Sequence, residues 1–520
     1  MNIVIVGGGT AGWITALMAA QRHPHHNITV IESSKIGVVG VGESTTGFFT
    51  NVILNDFADF GCDVNEFIVE TGATLKYGIK HKGWTNDIDE AYIGPIDGSW
   101  TNASTPDPFF CWGVANLDYD EQLTTSRCGY WTKHGLSNYD LSTESFSSTS
   151  HAMHVDAHLV GKYFRKIALR QYNNAKHIDA EVVKVNLDSI TGNIKSVDLH
   201  DGSVIEGDFF IDCSGFHKVL IKEMPTKWVS YQNNLPLNTA IPFLMDYEEN
   251  EIPELYTTAW AQKNGWMWRI PLLDRRGNGY VFCDAYTTPD KAVEEIETIL
   301  GKKINANKVI KFDAGRQECS WVKNCLAIGL SSAFLEPLEA TSIHSSIVQA
   351  RMFVFEYLKP TLEETTNTGS INIHNSRVRK MYDDVKDFLV MHYMGGRDDS
   401  EFWKYIKSGA TQTEFVKNLL EMSKSKVPTT HDFPGYFGSA GWPLYSYVMH
   451  GLHLIDKSLA KKELDFDLLN YGPLEPVTAN TYYETIHQWR EESTPWCSYK
   501  EFVKHFRDIR YKNGLSDKKY

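Results

Sequence analysis

What this chain lacks already excludes several functions. No apolar run approaches the eighteen or so residues of a membrane-crossing helix, so no membrane span is expected. Basic residues are too few for a nucleic-acid surface: 51 Lys and Arg stand against 65 Asp and Glu, a formal charge of −14. A nucleic-acid binder would instead present a basic face. Cysteine is sparse, eight in 520 residues at positions 62, 111, 128, 213, 283, 319, 325 and 497, with no Cys-x-x-Cys pair. Scattered thiols in a chain this large point to a reducing, cytoplasmic setting and give no zinc ribbon. No basic stretch precedes the first apolar run, so a secretory leader is not expected, and the sequon Asn102-Ala103-Ser104 reads as incidental. Internal repeats and low-complexity segments are also missing. A composition of 42% hydrophobic and 22% charged residues is that of a globular protein.

What is present begins at residue 2. Asn2-Ile3-Val4-Ile5-Val6 runs into Gly7-Gly8-Gly9-Thr10-Ala11-Gly12, and a helical pattern of Ile14, Ala16, Leu17 and Ala20 follows. In a strand–turn–helix of this kind Gly7 permits the tight turn. Gly9 lets a pyrophosphate approach the backbone, and Gly12 lets helix and strand pack closely. Phosphates would rest on free N–H groups at the helix start, around Thr10 and Ala11. Ile28-Thr29-Val30-Ile31-Glu32 reads as the second strand, and Glu32 stands where a carboxylate accepts a ribose hydroxyl. The sequence holds no second complete glycine motif, so a dinucleotide cofactor is expected without an NAD(P)H site of the chain's own. The glycine-dense loop Ile36–Thr46, with Gly42 and Glu43, fits either a plain connection or a loop passing a flat cofactor. Phe209–Asp212, stopped by Cys213-Ser214-Gly215, and Cys325–Ile328, stopped by Gly329, look like strands returning to the same cofactor.

Leu75–Trp84 alternates with period two, which predicts one strand carrying Lys76, Lys80 and Lys82 on one face. A solvated face is the plain explanation of that alternation. His151, His154 and His158 are predicted on one face of a helix starting at His151. No carboxylate or cysteine repeat accompanies them, so no metal site is expected. The fold class read from these elements is α/β, a Rossmann-like dinucleotide-binding module over residues 1–350. An antiparallel sheet is inserted at about 225–300, and residues 351–520 form a mostly helical, substrate-binding part.

Two further segments carry a resemblance. Gly265-Trp266-Met267-Trp268-Arg269-Ile270-Pro271 and Phe334-Leu335-Glu336-Pro337-Leu338-Glu339-Ala340-Thr341-Ser342-Ile343 resemble signatures of the flavin-dependent tryptophan-halogenase family. Ile211–Phe216 and the stretch from His392 to Trp403 agree with it, and the likeness covers residue 2 to about 405, thinning beyond. The resemblance implies FAD, used as FADH2, with O2 and a halide (chloride, bromide or iodide). Hypohalous acid forms and travels through a tunnel to a lysine beside an aromatic substrate. By position Lys80 is that lysine. Glu339 is its partner carboxylate, able to orient the oxidant or take the ring proton. Trp266 and Trp268 fill the space that keeps substrate off the flavin, and the backbone N–H groups of Thr341 and Ser342 hold halide. Asp212, Gly329 and Leu338 join Gly7, Gly9, Thr10, Ala11, Gly12, Glu32, Gly42 and Glu43 as cofactor-binding positions.

A separate NAD(P)H-dependent flavin reductase is the implied partner, and homo-oligomerisation stays open. Ala340 departs from the Ser of many members and Ser342 from the Gly of tryptophan-specific members, which leaves halide preference open. Free tryptophan is not the expected substrate. Phe433–Tyr445, where the family's amino-acid clamp is sought, contains no charged residue, so a broad, aromatic-lined pocket for indoles and phenols is expected. An FAD monooxygenase and a non-catalytic flavin-binding protein are the alternatives.

Overall fold

A computed structural model describes residues 1–37, 42–98, 108–147, 151–433, 441–471, 474–494 and 496–516. Its first layer is a six-stranded sheet. In spatial order the strands are Ala175–Asp179, Asn27–Glu32, Asn2–Val6, Phe209–Asp212, Cys325–Ala327 and Trp321–Val322. All pairs are parallel except the last, and Ile5 stands between Val30 and Ile211. Val4, Ile5, Phe210 and Ile211 are almost wholly buried, as expected of parallel strands covered on both faces. The helix Thr10–Arg22 packs on this sheet between the helices Ala157–Gln171 and Thr341–Met352.

The second layer is a seven-stranded sheet. Its order is Ile310–Lys311, Thr239–Asp246, Arg275–Phe282, Gly265–Pro271, Tyr256–Gln262, Gly78–Lys82 and Ala91–Pro95. The sheet therefore recruits strands from residues 78–95 and 310–311 as well as from the expected insertion. Only the contact between Tyr256–Gln262 and Gly78–Lys82 is parallel. After residue 341 the chain is helical, yet the helix Tyr499–Lys512 returns to the first layer. There Phe502, Val503 and Phe506 join the core of Ile3 and Ile5, and Arg507 Nε donates to the Leu273 carbonyl at 2.7 Å.

Two sequence expectations are corrected. Leu75–Trp84 is not one strand. Thr74–Lys76 pairs with Ala152–Val155, the chain turns at Tyr77, and Gly78–Lys82 enters the seven-stranded sheet. Lys76 thereby leaves the face of Lys80 and becomes fully buried, its Nζ donating to the Thr45 carbonyl at 2.7 Å. Nor does a helix start at His151. Ala152–Val155 is a strand between Glu43–Ser44 and Thr74–Lys76, and Asp156 caps the helix Ala157–Gln171 by accepting from His158 N and Leu159 N. Two strand partners outweigh the local helical pattern, because propensity is a weak prior against tertiary pairing. His154 then sits between Thr74 Oγ1 at 2.9 Å and Thr257 Oγ1 at 3.0 Å, while His151 meets Asn138 Nδ2 at 3.0 Å and His158 is exposed. The three histidines do not converge.

Candidate active site

One large cavity, about 910 Å³, joins the two layers. At one end it is lined by Gly7, Gly8, Gly9, Thr10, Ala11 and Glu32. The glycines divide their work as the motif requires. Gly7 has φ +110°, and a Cβ there would lie 2.1 Å from the Cys213 carbonyl oxygen; a Cβ on Gly12 would lie 1.9 Å from the Gly7 carbonyl oxygen. Both are packing constraints, whereas a Cβ on Gly9 would meet no protein atom within 4 Å and would project into the cavity. That is a cradle for a phosphate at a helix N-terminus. Glu32 lines the same end and is held by Arg165 Nη1 at 2.6 Å. This residue set fits FAD.

Gly42, Glu43, Gly329 and Leu338 also line the cavity. Burial, with Asp156 nearby, pushes the Glu43 carboxyl up to about 7. Asp212 does not reach the cavity. Its two oxygens accept from Ser214 N and Oγ, Ser331 Oγ, Leu220 N and Ile221 N, at 2.6–3.0 Å. A carboxylate saturated by its own chain has nothing left for a cofactor; it braces Cys213, Ser214 and Gly215, which do line the space.

At the other end the walls are Ile79, Thr257, Ala259, Trp266 and Trp268, all on one face of the seven-stranded sheet. Trp266 Nε1 lies 3.3 Å from Glu336 Oε2, which also accepts from the Tyr393 hydroxyl at 2.8 Å. Burial outweighs these donors and pushes the Glu336 carboxyl up to about 7. Gly279 makes room for Trp268, whose ring a Cβ would meet at 2.0 Å.

Glu339 closes this end. Glu339 and Ala340 are consecutive non-glycine residues at φ 64° and 57°, just before the helix Thr341–Met352. Such left-handed pairs are costly and mark strained functional turns. No side chain caps that helix, so its first N–H groups, including those of Thr341 and Ser342, are left for another acceptor. Ser342 lines the cavity; the Thr341 side chain does not. Glu339 Oε1 lies 3.0 Å from His392 Nε2 and 3.3 Å from His81 Nε2. His392 Nδ1 faces the Phe388 carbonyl at 2.8 Å and so must be an N–H. The contact to Glu339 is then a charged N–H donating to a carboxylate. Burial acts to raise the Glu339 carboxyl, but the His392 and His81 imidazoles outweigh it and hold the acid well below its ordinary range. His81 is itself lowered, chiefly by burial. The nearer imidazole, His392, is the main partner of the carboxylate.

Lys80 does not meet Glu339. It occupies the opposite face of its strand from Ile79 and His81, with Nζ 5.6 Å from the Tyr256 ring centre. There it lines a smaller pocket of about 130 Å³ with Tyr92, Ile93, Tyr119, Tyr447 and His450. Tyr92 stacks on His81 at 4.7 Å and 15°. The strand Gly78–Lys82 and this stack thus separate two compartments, Glu339 on one side and Lys80 on the other. Lys76 is the lysine that feels Glu339, although burial dominates and lowers its ammonium to about 7. His81 and Glu336 were not anticipated as functional residues. The only sequence trace of His81 is its place one residue after Lys80, which puts it on the opposite face. The proposed clamp segment falls largely on residues 434–440, outside the described residues.

Comparison with known proteins follows the same lines. The sequence profile of the tryptophan halogenase family matches residues 2–462, further than the short motifs reach. A tryptophan 6-halogenase of Streptomyces toxytricini is 32% identical over 487 residues, covering 86% of this chain and 88% of that protein. Among solved structures, a tryptophan C-6 flavin-dependent halogenase from taromycin biosynthesis superposes with a TM-score of 0.84 at 30% identity, covering 97% and 99% of the two chains. A flavin-dependent halogenase from Brevundimonas sp. BAL3 gives 0.81 at 25% identity over 97% and 99%.

Proposed function

The chain belongs to the tryptophan halogenase family and is a flavin-dependent halogenase, and from that premise we propose that it delivers oxidised halogen from the large cavity to an electron-rich aromatic ring held beside Lys80. The observation that carries the reading is the pair of compartments on opposite faces of Gly78–Lys82. Reduced FAD would supply the activation of O2 that oxidises chloride, bromide or iodide. Gly7, Gly9, Thr10, Ala11 and Glu32 would bind it, and the N–H groups of Thr341 and Ser342 would hold the halide at an uncapped helix start. Trp266 and Trp268 fill the wall beside that site, so an organic ring cannot lie over the flavin and be hydroxylated there. The reading requires a small hypohalous acid molecule to pass where a ring cannot, and an enclosed path would limit its loss to water.

A carboxylate held ionised by His392 is a strong hydrogen-bond acceptor and a weak base. This favours Glu339 as the group that orients hypohalous acid rather than the one that takes the ring proton. The Lys80 amine, on the substrate side, would hydrogen-bond the oxidant or carry its halogen as a haloamine. FADH2 would come from a separate NAD(P)H-dependent flavin reductase.

The substrate in this reading is an indole or phenol, with free tryptophan not preferred. Support comes from the Lys80 pocket, whose lining is chiefly Tyr92, Ile93, Tyr119, Leu123, Tyr447 and His450, while its one carboxylate, Asp120, is exposed to solvent and its one cation, Lys80, is assigned to the oxidant. A free amino acid needs its carboxylate and ammonium both paired, and a buried unpaired charge costs several kcal/mol. The test is incubation with FAD, a flavin reductase, NADH and bromide, comparing kcat/KM for indole, a phenol and tryptophan by product mass. Brominated indole as the best product is expected. Hydroxylated product would mean a monooxygenase, and a hundredfold preference for tryptophan would overturn the substrate assignment.

A further inference from the structure

We propose that His81, Glu339 and His392 form a binding site for a divalent cation of zinc type, and that its occupancy switches halogenation off. The three donor atoms lie within 4.8 Å of one another, with Glu339 Oε1 3.0 Å from His392 Nε2 and 3.3 Å from His81 Nε2. A tetrahedral zinc with bonds of about 2.0–2.1 Å sets its donor atoms about 3.3 Å apart, so two of the three edges are already in place.

Two features point to a cation at this spot. First, the Phe388 carbonyl takes the Nδ1–H of His392, which turns Nε2 toward Glu339 with only a proton or a metal able to bridge nitrogen and carboxylate. A backbone carbonyl fixing the tautomer of a ligating histidine is the usual outer-shell support of a metal site. Second, His81 is 1% exposed, and its Nε2 faces Glu339 Oε1 from 3.3 Å without the alignment of a good hydrogen bond. Buried imidazole nitrogens are normally satisfied, and a metal would use this one. Two histidines and one carboxylate supply three donors. Glu339 also lines the large cavity, which gives the ion an entry path and room for a fourth ligand. A bound metal would occupy the Glu339 carboxylate that is meant for the oxidant; this consequence, unlike binding itself, rests on the function proposed above. The other histidine cluster, His23, His25 and His26, is a weaker candidate because His23 Nε2 and His26 Nε2 already meet the Val354 and Lys359 carbonyls at 2.8 and 3.0 Å.

The experiment uses the full-length, tag-free protein stripped with a chelator, in a His25→Ala background that disables the second cluster. Zinc affinity is read by competition with a chromophoric chelator, and cobalt substitution is read by its visible d–d absorption. One zinc per chain is expected, with a tetrahedral cobalt spectrum. His81→Phe, checked for fold by circular dichroism, should weaken zinc binding at least about a hundredfold. Zinc should inhibit bromination reversibly, with a midpoint that tracks the binding constant, and should not affect the activity left in His81→Phe. No zinc bound, an octahedral cobalt spectrum, or affinity unchanged in His81→Phe would each overturn the site. The binding and cobalt readouts need no halogenation, so they decide the metal site even if the functional assignment fails. Binding without inhibition would leave the site but overturn its role as a switch.

Discussion

Replacing Glu339 by Gln keeps the size of the side chain and removes its charge, which isolates what the carboxylate does. In the folded protein Glu339 Oε1 accepts from His392 Nε2 at 3.0 Å, closer than the 3.3 Å to His81 Nε2. A charge-assisted hydrogen bond contributes about 1.5–3 kcal/mol and a neutral one about 1, so the substitution should cost about 1–2 kcal/mol of stability. The effect on rate should be larger. A general acid–base or oxidant-orienting group is worth about 10²–10⁴ in rate, about 3–5 kcal/mol of barrier. FAD affinity should stay within about threefold, since neither His392 nor His81 belongs to the glycine turn or to Glu32. Single-turnover bromination of indole with pre-reduced FAD measures the rate, urea unfolding the stability, and fluorescence titration the cofactor affinity. A rate within tenfold of wild type would refute the role given to the carboxylate. A parallel loss of FAD binding would show instead that Glu339 maintains the cavity. The same pair predicts an acid response. Because the folded value of Glu339 is depressed, its contribution to stability is present above the ordinary carboxylate value and is lost as pH falls toward the folded one.

Lys80→Ala should abolish halogenated product with FAD binding retained. Lys82→Ala, on the same face with its Nζ 4.6 Å from the Trp260 ring centre, should cost less than about threefold; equal losses in product assays would remove Lys80 from the mechanism. Lys76 gives a pH signature instead. Burial lowers it from 10.5 to about 7, so between those values the unfolded chain binds a proton that the folded chain does not. Stability should therefore rise with pH across that window, by up to about 1.4 kcal/mol per unit. Urea unfolding at pH 7 and 9 checks this, and Lys76→Met should flatten the difference; an unchanged slope would mean another group titrates.

The sequence by itself determined what depends on neighbours along the chain. Gly7, Gly9, Gly12 and Glu32 lie within one strand–turn–helix–strand unit, where Gly7 takes a positive φ, Gly12 leaves room for the Gly7 carbonyl and Gly9 leaves the phosphate cradle open. The tryptophan pair at 266 and 268 was legible for a similar reason. Period-two alternation puts both on one face of a strand, wherever that strand is used. What only the tertiary structure decided is which face meets which compartment. Alternation separated Lys80 from His81 but could not say which side looks at Glu339, 259 positions away from Lys80, because what packs on either face comes from distant segments. The turn at Tyr77, which buries Lys76, and the strand at Ala152–Val155 are set by pairing with each other and with Glu43–Ser44, contacts that no local pattern encodes. Asp212 sits where the motif predicts yet spends its carboxylate on Ser214, Leu220, Ile221 and Ser331. The meeting of His392 with Glu339, 53 residues apart, exists only because the helix Thr368–His392 ends against the strained turn at Glu339 and Ala340. A carboxylate's partners, and hence its acidity, belong to the packing of distant elements rather than to its own stretch of chain.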